Sequence, residues 1–164
     1  MKWHLKNAAS ILIGIAATSQ VVAQDLPEQR LRFDQFKWPQ SQANQAGSAM
    51  VQGQQVIFVI GDGKSNGLYS LVFKAPPNTK IQPHSHPDGR SCFILSGTWY
   101  FGYGTVWDES KLVELPAGSH YTEPAGRAHF AATKGEEVTV QCTATGPTGT
   151  TFVNPSDDPR NARK

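Results

Sequence analysis

From residue 55 onward the chain is a succession of short runs, each stopped by glycine, proline or a charged turn. "QVIFVIGDG" is β-branched and closes on Gly61-Asp62-Gly63, while "LYSLVFKAPP" alternates and halts at Pro76-Pro77. "SCFILSGTWYFGYG" reads as two strands joined through Ser96-Gly97, and "KLVELPAG", "HFAAT" and "EEVTVQCTATG" follow in the same manner. Glycine supplies the turn conformations between such runs, and proline cannot donate to a ladder. No apolar repeat of helical period persists for three turns beyond residue 24. With fifteen glycines and eleven prolines as punctuation, the sequence predicts an all-β sandwich or barrel.

The ends of the chain read differently. Residues 1–23 carry Lys2 and Lys6, an apolar run and the small residues of Val21-Val22-Ala23, the pattern of a secretory signal cleaved after Ala23. The run is shorter than the ~20 apolar residues of a spanning helix, so export to the periplasm or the exterior is expected rather than anchoring. Residues 24–50 form a polar N-terminal arm whose large apolar groups, Phe33, Phe36 and Trp38, are expected to rest against the domain. Residues 51–153 are the barrel domain, and residues 154–164 are a polar tail, expected to be loosely held. Lys and Arg are scattered and the net charge is only +2, which gives nucleic acid no basic patch to bind.

Export implies an oxidising compartment for Cys92 and Cys142. Two readings stand for them. One is a disulfide, which needs their Cβ atoms within about 4.5 Å. The other is a pair of small buried apolar side chains, the more frequent outcome for cysteines in alternating runs.

Four histidines follow the signal segment: His84, His86, His120 and His129. Alternate residues of a strand share a face, so His84 and His86 can point together into a barrel. With imidazole–metal bonds near 2.1 Å, such a pair supplies two neighbouring ligands. His129, thrown into the next strand by the Pro124-Ala125-Gly126 turn, is the best third. His120 has no partner at ligand spacing and reads as a surface residue.

These segments resemble the paired motifs of the cupin superfamily. The first motif, Gly, five residues, His-x-His, three or four residues, Glu, six residues, Gly, is similar to Asn78, His84-Ser85-His86, Arg90 and Gly97. The second, Gly, five residues, Pro-x-Gly, two residues, His, three residues, Asn, is similar to Gly118, Pro124-Ala125-Gly126, His129 and Thr133. The resemblance implies a double-stranded β-helix, or jelly-roll barrel, with one divalent metal ion held by His84, His86 and His129. Iron(II) is the expected ion, with zinc, manganese, nickel and copper left open. Homodimers are common in the superfamily. The chain departs from the pattern at three places. Asn78 stands for a glycine and tolerates the left-handed conformation, Thr133 stands for a structural asparagine, and Arg90 stands for the ligand glutamate.

The arginine is the departure with chemical consequences. A dication and a guanidinium about 5 Å apart repel by roughly 6–7 kcal/mol at an effective dielectric near 20. Arg90 must therefore turn away or meet an anion, either Asp88 or Glu123 from within or the carboxylate of a substrate. The expectation is a substrate-binding Arg90. Glu123, just ahead of the Pro-x-Gly turn, is expected to support a ligand histidine or serve as a fourth ligand. Trp99, Tyr100, Phe101, Tyr103 and Trp107 divide by alternation between interior and exterior, and the interior ones would wall a pocket.

Three functions compete. The first is an exported iron-dependent dioxygenase acting on a small organic anion or enolisable compound, since some cupin dioxygenases are similar in using three histidines alone. The second is a non-catalytic module or sensor that binds a metal or small ligand, to which part of certain zinc-binding anti-sigma factors is similar. The third, a metal-assisted isomerase or lyase, ranks last because only His120, Glu123 and the tyrosines could supply acid–base chemistry. No Gly-x-Ser-x-Gly motif for a nucleophilic serine occurs.

Overall fold

A computed structural model describes residues 24–39 and 47–161. The expected signal segment, residues 1–23, lies outside the described residues. Ten strands account for nearly all regular structure: β1 Gln55–Ile60, β2 Leu68–Ala75, β3 Lys80–Ser85, β4 Arg90–Ser96, β5 Thr98–Tyr103, β6 Val113–Pro116, β7 His120–Glu123, β8 His129–Ala132, β9 Val138–Thr145 and β10 Thr151–Phe152. They form two antiparallel five-stranded sheets, ordered β1-β2-β9-β4-β7 and β10-β3-β8-β5-β6. This is the all-β jelly roll that the sequence predicts. Among the described residues no helix is long and apolar enough to cross a membrane.

Alternation places the core between the sheets. In β4, Arg90, Cys92 and Ile94 are buried while Ser91, Phe93 and Leu95 are exposed. Inward Val56, Leu71, Phe73, Ile81, Trp99 and Val140 meet from both sheets in one apolar cluster. Each fully buried aliphatic or aromatic side chain contributes about 1.5–3 kcal/mol.

Three local features hold the site-bearing strands in place. The chain leaves one sheet for the other at Gly97, whose φ of 73° and closeness to Glu137 O leave no room for a Cβ, which would sit 2.5 Å from that oxygen. Asn78 takes φ 57° where the motif has glycine, and Thr133 Oγ1 ties that turn by donating to Pro76 O and accepting from Thr79 N. Pro83 interrupts β3, and the register against β8 shifts between Ile81 and His84.

Cys92 and Cys142 are Cα partners across β4 and β9 and form a disulfide, which corrects the expectation that two unbonded residues were the more frequent outcome. The register brings them face to face, a relation that spacing alone does not carry. In the arm, Phe33, Phe36 and Trp38 pack on one another, with Lys74 Nζ 4.7 Å from the Trp38 ring. In the tail, Arg160 Nη2 donates to Thr150 O, so this segment is tied to the barrel.

Candidate metal centre

His84 lies on β3 and His86 one residue past its end. His129 opens β8 directly across from His84. All three are buried, 5%, 3% and 1% exposed, with ring centroids 4.4 Å (His84–His129), 5.0 Å (His84–His86) and 5.2 Å (His86–His129) apart. One nitrogen from each lies within 4.8 Å of the others. The fold thus brings together the three histidines expected from the sequence, and they form a group able to hold a metal ion.

Backbone carbonyls settle which nitrogen faces the centre. His84 Nδ1 is 2.7 Å from Gln82 O, His86 Nδ1 2.6 Å from Gly149 O, and His129 Nδ1 3.1 Å from Arg127 O. A carbonyl only accepts, so each Nδ1 donates and each Nε2 keeps its lone pair. This is the outer-shell arrangement that orients ligating imidazoles. Burial keeps the rings neutral: it pushes His84 down to about 3, helped by His129, and His129 down to about 4. His86 is held well below its ordinary value, first by burial and then by Arg90. His129 Nε2 is buried without a hydrogen-bond partner. A buried acceptor left this way is rare, and a cation at the centre would satisfy it.

Glu123, at the inward end of β7, is 6% exposed. Its Oε2 is 3.5 Å from His86 Nε2 and its Oε1 3.7 Å from His129 Nε2. Glu123 also lies near both cysteines, but their disulfide leaves no thiolate to ligate.

Arg90 points inward and is 6% exposed. Its Nε donates to Asp88 Oδ2 at 3.1 Å, Nη1 to Gly47 O at 3.1 Å and to Glu123 Oε2 at 3.4 Å, and Nη2 to Thr148 Oγ1 at 2.5 Å. Burial by itself would lower the guanidinium, but Glu123, Tyr69 and Asp88 hold it above its ordinary value. The counter-charge required beside Arg90 is thus present within the fold. Tyr69 extends the network by donating to Asp88 Oδ2 at 2.5 Å, and burial raises its hydroxyl to about 12. Sequence reasoning named Asp88 but missed Tyr69, Gly47 and Thr148, whose relation to Arg90 exists only after folding.

The cavity is small, about 30 Å³, room for about two water-sized groups. Leu71, Phe73, Ile81, Trp99 and Phe101 form its apolar wall, and Phe101 stacks on His129 with centroids 5.3 Å apart. Alternation separates buried Trp99 and Phe101 from half-buried Tyr100, whereas Tyr103 shares their parity yet is exposed at the strand's end, and Trp107 packs on Phe130. Gly47, Ser48 and Ala49, from the end of the expected arm, also line the cavity. Ser48 O accepts from Thr150 Oγ1, which secures that segment. His120 stays outside, with Nε2 3.0 Å from Ser91 Oγ and its ring against Phe93.

Two facing antiparallel sheets enclosing three convergent imidazoles define a cupin barrel with a metal-type site. The chain belongs to the family described as ChrR Cupin-like domain, whose model matches residues 34–149. No curated protein sequence matches it. Among solved structures it is similar to the polyketide cyclase RemF of Streptomyces resistomycificus, with 19% identity, 80% of this chain and 89% of that chain covered, and a TM-score of 0.63. The DMSP lyase DddQ of Ruegeria pomeroyi is similar at 22% identity, 71% and 60% coverage and TM-score 0.55. A salicylate 1,2-dioxygenase of Pseudaminobacter salicylatoxidans is similar at 9% identity, 62% and 31% coverage and TM-score 0.51. At these identities the likeness is one of fold, and the three names span three chemistries.

Proposed function

We propose that this protein is an exported cupin that holds one divalent ion through His84, His86 and His129 and acts as an iron(II)-dependent dioxygenase on a small, enolisable or anionic organic compound. The observation that carries the reading is the set of three Nε2 lone pairs, fixed by Nδ1–carbonyl bonds and aimed at one buried place. Three neutral ligands leave coordination positions open, which is what separates a reactive site from a purely structural one. The Cys92–Cys142 disulfide supports an oxidising location.

Iron(II) at this place supplies Lewis-acid polarisation and one-electron chemistry. The chain's own residues do the rest. Gln82, Gly149 and Arg127 carbonyls hold the rings in one tautomer. Phe101, Trp99 and Leu71 give the cavity an apolar wall. Arg90 stands beside it as the positive group that a substrate enolate or carboxylate would meet. To reach it, the substrate must exchange one of the internal partners, and the 3.4 Å bond to Glu123 is the longest of them.

The test is oxygen uptake by anaerobically purified, iron-loaded protein offered small β-dicarbonyls or thiols. Consumption of dioxygen that disappears in His84→Ala supports the reading. One equivalent of tightly held zinc with no turnover supports the second reading, a non-catalytic binding module. The 30 Å³ cavity and the internally engaged Arg90 favour that alternative.

A further inference from the structure

We infer that Glu123 is the fourth protein ligand of this ion, so that the carboxylate missing from position 90 is supplied from the neighbouring strand. The inference rests on the three-histidine reading above and deepens it in one respect, that one anionic ligand joins the three neutral ones. Arg90 and Glu123 are Cα partners across β4 and β7. The carboxylate has therefore moved sideways by one strand, about 4.8 Å, while remaining on the inner face and against the same cavity.

Toward the histidines, the contacts of Glu123 are those of a ligand rather than of a hydrogen-bonding partner. Its two oxygens approach His86 Nε2 and His129 Nε2 at 3.5 and 3.7 Å. Because both Nδ1 atoms donate to carbonyls, neither neutral ring has a proton on Nε2 to offer. Lone pairs thus face lone pairs across a buried gap, an arrangement that a cation between them makes favourable. Two donors each about 2.1 Å from one ion stand about 3.0–3.4 Å apart at ordinary coordination angles. The separations from His86 and His129 exceed that by a few tenths of an ångström, and Glu123 stands outside the group of ligand atoms lying within 4.8 Å of one another, so its carboxylate must move inward to join the ion.

Arg90 then becomes a positioning residue. Its Nη1 bond to Glu123 Oε2 and Nε bond to Asp88 aim the carboxylate and share its charge. This resolves how a guanidinium tolerates a dication close by, since an anion lies between them.

Cobalt(II) titration of the metal-free protein tests the assignment, read by the visible ligand-field spectrum and by competition with a chelator. Glu123→Gln keeps the shape of the side chain and removes its charge. It is expected to change the spectrum and to weaken binding by more than the roughly 10–100-fold that loss of a merely orienting partner brings. An unchanged spectrum, with whatever loss of affinity, overturns the assignment. If Glu123→Gln does not fold, Glu123→Asp keeps the charge beside Arg90 and withdraws the carboxylate by one methylene, with the same two outcomes. His84→Ala separates the two readings. If wild type binds no cobalt, or His84→Ala binds as wild type does, the three-histidine site itself fails. If His84→Ala abolishes binding while Glu123→Gln leaves the spectrum intact, only the glutamate assignment fails.

Discussion

Arg90 and Glu123 face each other across the β4–β7 pairing, each 6% exposed, with Nη1 and Oε2 3.4 Å apart. Asp88 contacts the same guanidinium through Nε, so one buried cation is shared by two buried carboxylates. Removing one member of such a group leaves uncompensated charge in a low dielectric and typically destabilises by about 3–5 kcal/mol. Arg90→Ala is expected to lower the stability of the metal-free protein by that order in urea denaturation. A midpoint unchanged from wild type would show that the network contributes nothing.

The disulfide makes a separate, sizeable contribution. Cys92 and Cys142 are 50 residues apart, and closing a loop of that length stabilises by about 4 kcal/mol in the chain-entropy treatment. The double variant Cys92→Ala, Cys142→Ala should therefore unfold at clearly lower denaturant than wild type, and reductant should shift only the wild type. Coincident transitions for wild type with and without reductant would refute this.

Acid should destabilise the metal-free protein through its buried imidazoles. Burial holds His84 near 3 and His129 near 4, both below the ordinary 6.5. Between pH 6.5 and those values the unfolded chain binds more protons than the folded one, so stability falls as pH drops through that window. His129 alone corresponds to a loss on the order of 3 kcal/mol. Thermal melts from pH 7 to pH 4 check this, and replacing both residues by glutamine should flatten the profile. A profile equally steep in that double variant would contradict the assignment.

Much of the frame was legible before folding. The Gly and Pro stops located most strands, and the His-x-His and Pro-x-Gly-x-x-His spacings located the three imidazoles. Asn78 held the left-handed turn that its residue type allows. The strand β7 was harder to see. "HYTE" alternates exposed and buried residues, but its inward positions are Tyr121 and Glu123, and a carboxylate on the inner face hides the apolar signal. The pairing of Arg90 with Glu123, and of Cys92 with Cys142, depends on registers between strands distant in the chain. Gly47 and Ser48 line the cavity, yet nothing local in their polar, glycine-containing stretch distinguishes them from the arm. These relations belong to tertiary structure, and residue spacing does not encode them directly.

Metal content tests the central claim most directly. Protein purified without chelator, or reconstituted with iron(II) and then desalted, should carry one divalent ion per chain by elemental analysis. His84→Ala and His129→Ala should carry none while remaining folded. Wild-type protein that takes up no stoichiometric ion, or alanine variants that retain it, would contradict a metal centre built on these three imidazoles.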